Sequence, residues 1–145
     1  MMRAGGVYSG LGVLILSAVL LSGCAASQRQ ILAADQSQVA LRSIQSRAFD
    51  TTDKRLMLRC VINTMQDLDF LILDSSLDLG TVTGQKYSGK VVIKMSVTVK
   101  DRNDKQLLVR ANLEYGIEPV EDPKVYQDFF SALEKSIFLT AQQVD

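Results

Sequence analysis

Few side chains in this sequence could carry chemistry: two cysteines, Cys24 and Cys60, an aspartate group at Asp67, Asp69, Asp74 and Asp78, and no histidine in 145 residues. Without imidazole, neither a Ser-His-Asp nor a Cys-His nucleophile can be assembled, and no zinc site can be built on histidine. The four aspartates could in principle hold calcium or do acid–base work. A calcium loop, however, wants oxygens at alternate positions around a central glycine, and Leu68, Phe70 and the apolar run to Leu73 fall between them. Two of the four are expected to end a helix and two to flank a turn. Gly80, Gly84 and Gly89 miss the spacing of a phosphate-cradling turn, no P-loop occurs, and turns and hairpins account for these glycines. No enzyme activity, metal or cofactor is expected, and a hydrolase or transferase ranks behind the two binding roles set out below.

Cys24 stands apart because of what precedes it. Residues 1–23 have a basic start at Arg3, an apolar stretch from Leu11 to Leu21 and small residues before a cleavage point, the three parts of a secretory signal. A membrane span needs about 20 apolar residues. Counting back to Gly5 reaches that length only by including glycines, so an uncleaved anchor is the poorer alternative. The tetrapeptide Leu21-Ser22-Gly23-Cys24 resembles the lipobox of bacterial lipoproteins at all four positions; the other alternative, a plain signal peptide, needs that match to be chance. The resemblance implies a diacylglycerol on the Cys24 sulfur, cleavage of the Gly23–Cys24 bond and acylation of the new amine. Two or three long chains make a tether that rarely leaves the bilayer, at about 0.8 kcal/mol per buried methylene. In the same family an aspartate after the cysteine retains the protein in the inner membrane. Ala25 and Ala26 here imply the periplasmic face of the outer membrane, for a Gram-negative host.

The chain carries 16 Lys and Arg against 16 Asp and Glu, and loss of residues 1–23 removes only Arg3 from that balance. A near-neutral chain with no basic run longer than two residues argues against nucleic acid as a partner. With 47% hydrophobic residues, the length suits one core and one domain. Once Cys24 carries lipid, Cys60 has no partner for an internal disulfide. It lies on the apolar face of an expected helix, so a small buried hydrophobe is the simpler reading and a disulfide to a partner or second copy the other.

Residues 24–40 read as the lipidated N-terminus and a flexible tether, polar and small from Ala25 to Gln38, with a short helix around Ile31–Leu41 as the alternative. Those ~14 residues could reach on the order of 45 Å. The domain proper is expected over 41–145. Ile44 to Phe49 alternates as a first strand. Asp50-Thr51-Thr52-Asp53 offers helix caps and an acidic first turn. Met57, Cys60, Val61, Thr64, Met65 and Leu68 then recur at helical spacing to a helix end near Asp69. Phe70-Leu71-Ile72-Leu73 predicts a strand buried on both faces, and Gly80–Lys86 another. The clearest alternation puts Val91, Ile93, Met95, Val97 and Val99 on one face, paired through a hairpin at Arg102–Lys105 with Leu107, Val109, Ala111, Leu113, Tyr115 and Ile117. Asp122 can cap and Pro123 start a final helix, with Tyr126, Phe129, Phe130, Leu133, Ile137 and Ala141 as its apolar stripe. The order implies an α+β two-layer sandwich: an antiparallel sheet of four to five strands with two helices on one face.

The uncovered face of that sheet is the expected working surface. Val92 and Leu108 are large apolar residues at positions facing solvent among Lys94, Lys100, Arg110 and Glu114, and Tyr87 stands in an expected hairpin tip spanning Lys86–Lys90. Ser46–Thr51, Leu68-Asp69-Phe70 and Leu79-Gly80 resemble a group of small uncharacterised envelope lipoproteins with T-R-x-F-D-T, L-Q-D-L-G-F and L-G in series. Where that pattern has glycine at the helix end, this chain has Asp69, which can also adopt the left-handed conformation at some cost. This resemblance implies domain boundaries and no activity. The architecture also looks like that of small lipoproteins serving outer-membrane assembly machines, an analogy of fold alone. The function expected is an accessory or scaffolding subunit of a secretion, efflux or assembly complex of the envelope. The alternative is a periplasmic carrier of a lipid or other apolar ligand, held among Phe129, Phe130, Met95 and Tyr115.

Overall fold

The structure, a computed structural model, describes residues 37–142. Gly23, Cys24, the signal segment and the tether as far as residue 36 lie outside the described residues, as do 143–145. The chain divides into two units, Met1–Ala40 and Leu41–Asp145. In the first, residues 37–40 are helical, within the short helix around Ile31–Leu41 that was the alternative to a tether. The second holds the α+β fold, and among the described residues no helix is long and apolar enough to cross a membrane.

Residues 41–44 are helical, so Ile44 belongs to a helix rather than to the first strand, which starts at Ser46. The elements are β1 (Ser46–Phe49), α1 (Lys54–Asp67), β2 (Leu71–Ser76), β3 (Thr81–Ser88), β4 (Val91–Asn103), β5 (Gln106–Tyr115), β6 (Glu118–Pro119) and α2 (Pro123–Gln142). The antiparallel sheet runs β1-β5-β4-β3-β2, and the short β6, which no sequence signal marked, pairs with the far end of β5. Both helices lie on one face, where Met57, Val61 and Met65 of α1 and Tyr126, Phe129, Phe130 and Leu133 of α2 share a single buried cluster with Met95, Val97, Val99, Leu107, Val109 and Ala111. Burying one such large side chain contributes about 1.5–3 kcal/mol.

The helix termini follow local rules. Asp53 is the cap of α1, its Oδ1 accepting from the Leu56 amide at 2.9 Å, so the acids precede the helix and the first turn contains none. At the other end Asp69 sits at φ 66°, with its amide donating to Gln66 and that of Phe70 to Met65, the Schellman pattern in a residue other than glycine. Asp122 caps α2 through the Lys124 amide at 2.9 Å.

Several expectations of burial fail at the margins. The Phe70–Leu73 run does not form a strand buried on both faces: β2 is the last strand in the sheet, and Leu71 and Leu73 are 65% and 50% exposed. An unbroken apolar run reads as doubly buried, but position in the strand order decides it. Tyr115 faces the helix side as expected but is 47% exposed, and Ile117 lies exposed in the following turn, because β5 outruns the helices and turns at Gly116, whose φ is +67°. Ala141, at the far end of the α2 stripe, is exposed as well. Gly84 is no turn residue; it is buried mid-strand in β3, where a Cβ would stand 2.8 Å from Met65 Cε.

Candidate functional site

One end of the sheet collects apolar side chains that the core does not use. Tyr87 and Val92 are cross-strand partners beside the Gly89-Lys90 turn, and Ile93 pairs with Tyr115 one row away. The Gly116 amide donates to the Val92 carbonyl at 2.9 Å, which brings the β5–β6 turn against β4. Tyr87 is therefore exposed on the outer face of this end beside the half-buried Val92, whereas Tyr115, paired with Ile93, is exposed on the helix face and Ile117 in the turn between β5 and β6.

The helix side of the same end opens into a groove of about 520 Å³. Its floor is Met95 and Leu113, its walls Phe70, Tyr115, Val125 and Phe129. It exists because β3, β4 and β5 run on beyond the end of α1, while α2 starts only after β6 and Val120 have crossed the sheet end. Val120 is held by its amide donating to Leu113 and by its carbonyl accepting from the Tyr126 hydroxyl at 2.7 Å. That hydroxyl, fully buried, also accepts from Gln45 Nε2 at 3.2 Å, tying the groove wall to the segment before β1.

Among the described residues, Lys86 is the one cation of the groove lining. It was expected in an exposed hairpin tip. Instead it lies within β3, half-buried, its Nζ 4.6 Å from the Phe70 ring centroid and donating to the Leu68 carbonyl at 3.0 Å. An ammonium has three donors, so this one closes the end of α1 and can still meet an acceptor in the groove. Asp122 and Asp128 stand on the α2 wall. Asp128 pairs with Lys124 at 2.6 Å, and its hydrogen bond and charge hold the Lys124 ammonium above the ordinary lysine range.

Of the residues singled out for an interface, Tyr87 and Val92 come together and Leu108 does not. Leu108 pairs with Lys100 and Ala48, eight residues along β4 from Val92, roughly 27 Å at strand spacing. The outer face between them is mostly Ser, Thr, Asn and Lys, with Arg110 bonded to Ser46 at 3.1 Å. Met95, Phe129 and Tyr115 line the groove as the carrier alternative required, but Phe130 faces Arg47, 5.0 Å from its ring. Sequence reasoning missed Lys86, Phe70 and Val120, whose placement depends on contacts far along the chain. Cys60 is fully buried, 3.7 Å from Thr140 Oγ1, so a disulfide to another molecule would require α1 and α2 to part. The aspartates are spread over a helix end, a strand and a turn, and among the described residues no three His, Cys, Asp or Glu are grouped to hold a metal.

No family model and no curated protein sequence matches this chain.

Proposed function

We propose that this chain is a non-enzymatic lipoprotein, anchored through Cys24 at the periplasmic face of the outer membrane. There it acts as an accessory or scaffolding subunit that seats an envelope protein against the apolar end of its sheet. The anchor is read from Leu21-Ser22-Gly23-Cys24. The partner-binding role is supported by the apolar rim of this sheet end, Tyr87 on its outer face, Tyr115 on its helix face and Ile117 in the turn, 71%, 47% and 91% exposed, beside a groove that can take apolar side chains.

Two labels test the parts separately. Metabolic labelling with an alkyne fatty acid should mark the wild-type protein and not Cys24→Ala; an unlabelled wild type ends the anchor reading. A photocrosslinking residue at position 87 should capture one resident envelope protein, identified by mass spectrometry, and the same residue at 108 should not. Equal capture at both positions, or none at 87, removes the sheet end as the contact surface.

A second reading, a carrier for a lipid or other apolar ligand, is favoured by one observation: the groove is lined by apolar atoms of the buried Met95 and Phe129 and has a single ammonium at Lys86. Native mass spectrometry of the protein distinguishes the two, since a carrier retains a reproducible added mass and an adapter flies without one.

A further inference from the structure

We propose that the free edge of β2, with the hollow beside it, is a docking edge for an extended segment of a partner protein that adds to the sheet as a further strand and places an Asp or Glu side chain between Arg55 and Arg59. β2 ends the strand order, so one side of its backbone meets no strand among the described residues. Strand edges of this kind pair with extended segments, main-chain hydrogen bonds giving affinity and pockets for alternate side chains giving selectivity.

The edge is also apolar: Leu71, Leu73, Leu77 and Leu79 are 65%, 50%, 39% and 71% exposed within nine residues. A register shift between Ile72 and Asp74 marks a bulge at Leu73, which leaves the stretch from Asp74 to Ser76 regularly paired with β3 and open on its other side.

The charge of the occupant follows from the helix side. A hollow of about 250 Å³ lies between α1 and the edge, lined by Arg55, Leu58, Arg59 and Ile62 on one side and by Ser75 and Leu77 on the other. Ser75 pairs with the buried Val82, so it points to the helix face, and the helix-facing side chains of an added strand would enter this hollow. Both guanidiniums are exposed, and neither has an ion pair or hydrogen bond among the described residues. A carboxylate is the group that two convergent guanidiniums bind best.

A second copy of this chain fits poorly, although its own β2 is apolar and acidic. Asp74 pairs with Thr83 on the outer face, away from the hollow. Antiparallel pairing of two β2 edges would keep both Asp74 carboxylates on that outer face and near one another, where like charges repel.

This inference goes beyond the sheet-end contact proposed above and needs neither that contact nor the anchor. The test is binding of a fluorescent peptide, acetylated and amidated, with Glu between two valines in an alternating sequence, to the full chain in detergent micelles. Binding is expected, with new amide protection at residues 71–76 by hydrogen exchange. Replacing Glu by Gln in the peptide, or Arg55→Gln with Arg59→Gln in the protein, should weaken it about tenfold. Methylating the peptide's alternate backbone nitrogens on the side facing β2 should abolish it. No binding at millimolar peptide, equal binding of the Gln peptide, undiminished binding after N-methylation, or protection elsewhere than β2 each overturns the proposal. So does a β2-dependent dimer in sedimentation that blocks the peptide.

Discussion

At the β1 edge of the sheet, Arg47 reaches α2, pairing with Glu134 at 2.9 Å and lying over the Phe130 ring, while Gln45 just before the strand bonds Tyr126 and its carbonyl accepts from Ala111. At the β2 edge the closures are mostly backbone: the Schellman turn through Asp69, the Gly80 turn whose carbonyl accepts from Val99 at 2.7 Å, and the Leu68 carbonyl taken by Lys86. All four β1 residues are half-buried, whereas β2 exposes four of its six. One edge is locked by side chains from elements far apart in sequence, and the other is fixed in path but left open along its side. An edge held by its own turns can stay uncovered without fraying, which is what a docking edge requires.

The contrast can be broken most severely at Gly80. Its φ is +67°, and a Cβ there would stand 2.3 Å from the Val99 carbonyl oxygen and 2.6 Å from Lys54 Cε. Gly80→Ala is expected to destabilise by about 2–4 kcal/mol, read as a lower denaturation midpoint at unchanged slope. A loss under about 0.5 kcal/mol would show that the β2 end does not depend on this turn. The opposite edge is tested by Tyr126→Phe, which strands the Gln45 amide and the Val120 carbonyl and should cost about 1–2 kcal/mol. Exchange should quicken at residues 45–49 and not at 71–76, and equal quickening at both edges would erase the distinction. The smallest effect runs the other way. Asp69→Gly relieves a left-handed non-glycine residue and should raise stability by about 0.5–1 kcal/mol without altering the peptide affinity of β2. The Lys124–Asp128 pair is fully exposed and matters little to either edge. Because its lysine pKa is raised, the small contribution of that lysine is present at neutral pH and is lost as pH rises through the alkaline range.

Much of the interior was legible because each signal is short-ranged. The alternation of Val91–Val99 and Leu107–Leu113 gives the inner face of the central hairpin, and Asp53 and Asp122 cap the two helices where their side chains can reach the next turn. Even the strained Asp69 was foreseeable, since the chain must reverse between an amphipathic helix and the buried Phe70. The candidate sites were less legible. Tyr87 and Val92 share a face and a row only because β3 and β4 pair in a particular register, and that same register carries Leu108 to the far end of the sheet. Lys86 looks like a solvated turn lysine until Phe70 and the end of α1 are placed beneath it.

Taken alone, the sequence determined the two capped helices, the central hairpin and the alternation that sends Val91–Val99 and Leu107–Leu113 to the core, because those choices depend on neighbours within about a turn of chain. Only the tertiary structure decided that the apolar Phe70–Leu73 run lies at an edge, that the sheet end opens a groove lined by Met95 and Phe129, and that Arg55 and Arg59 flank a free strand. Those outcomes turn on which strand sits last and where each helix stops over the sheet, and a strand carries the same local pattern whether its outer side meets another strand or water.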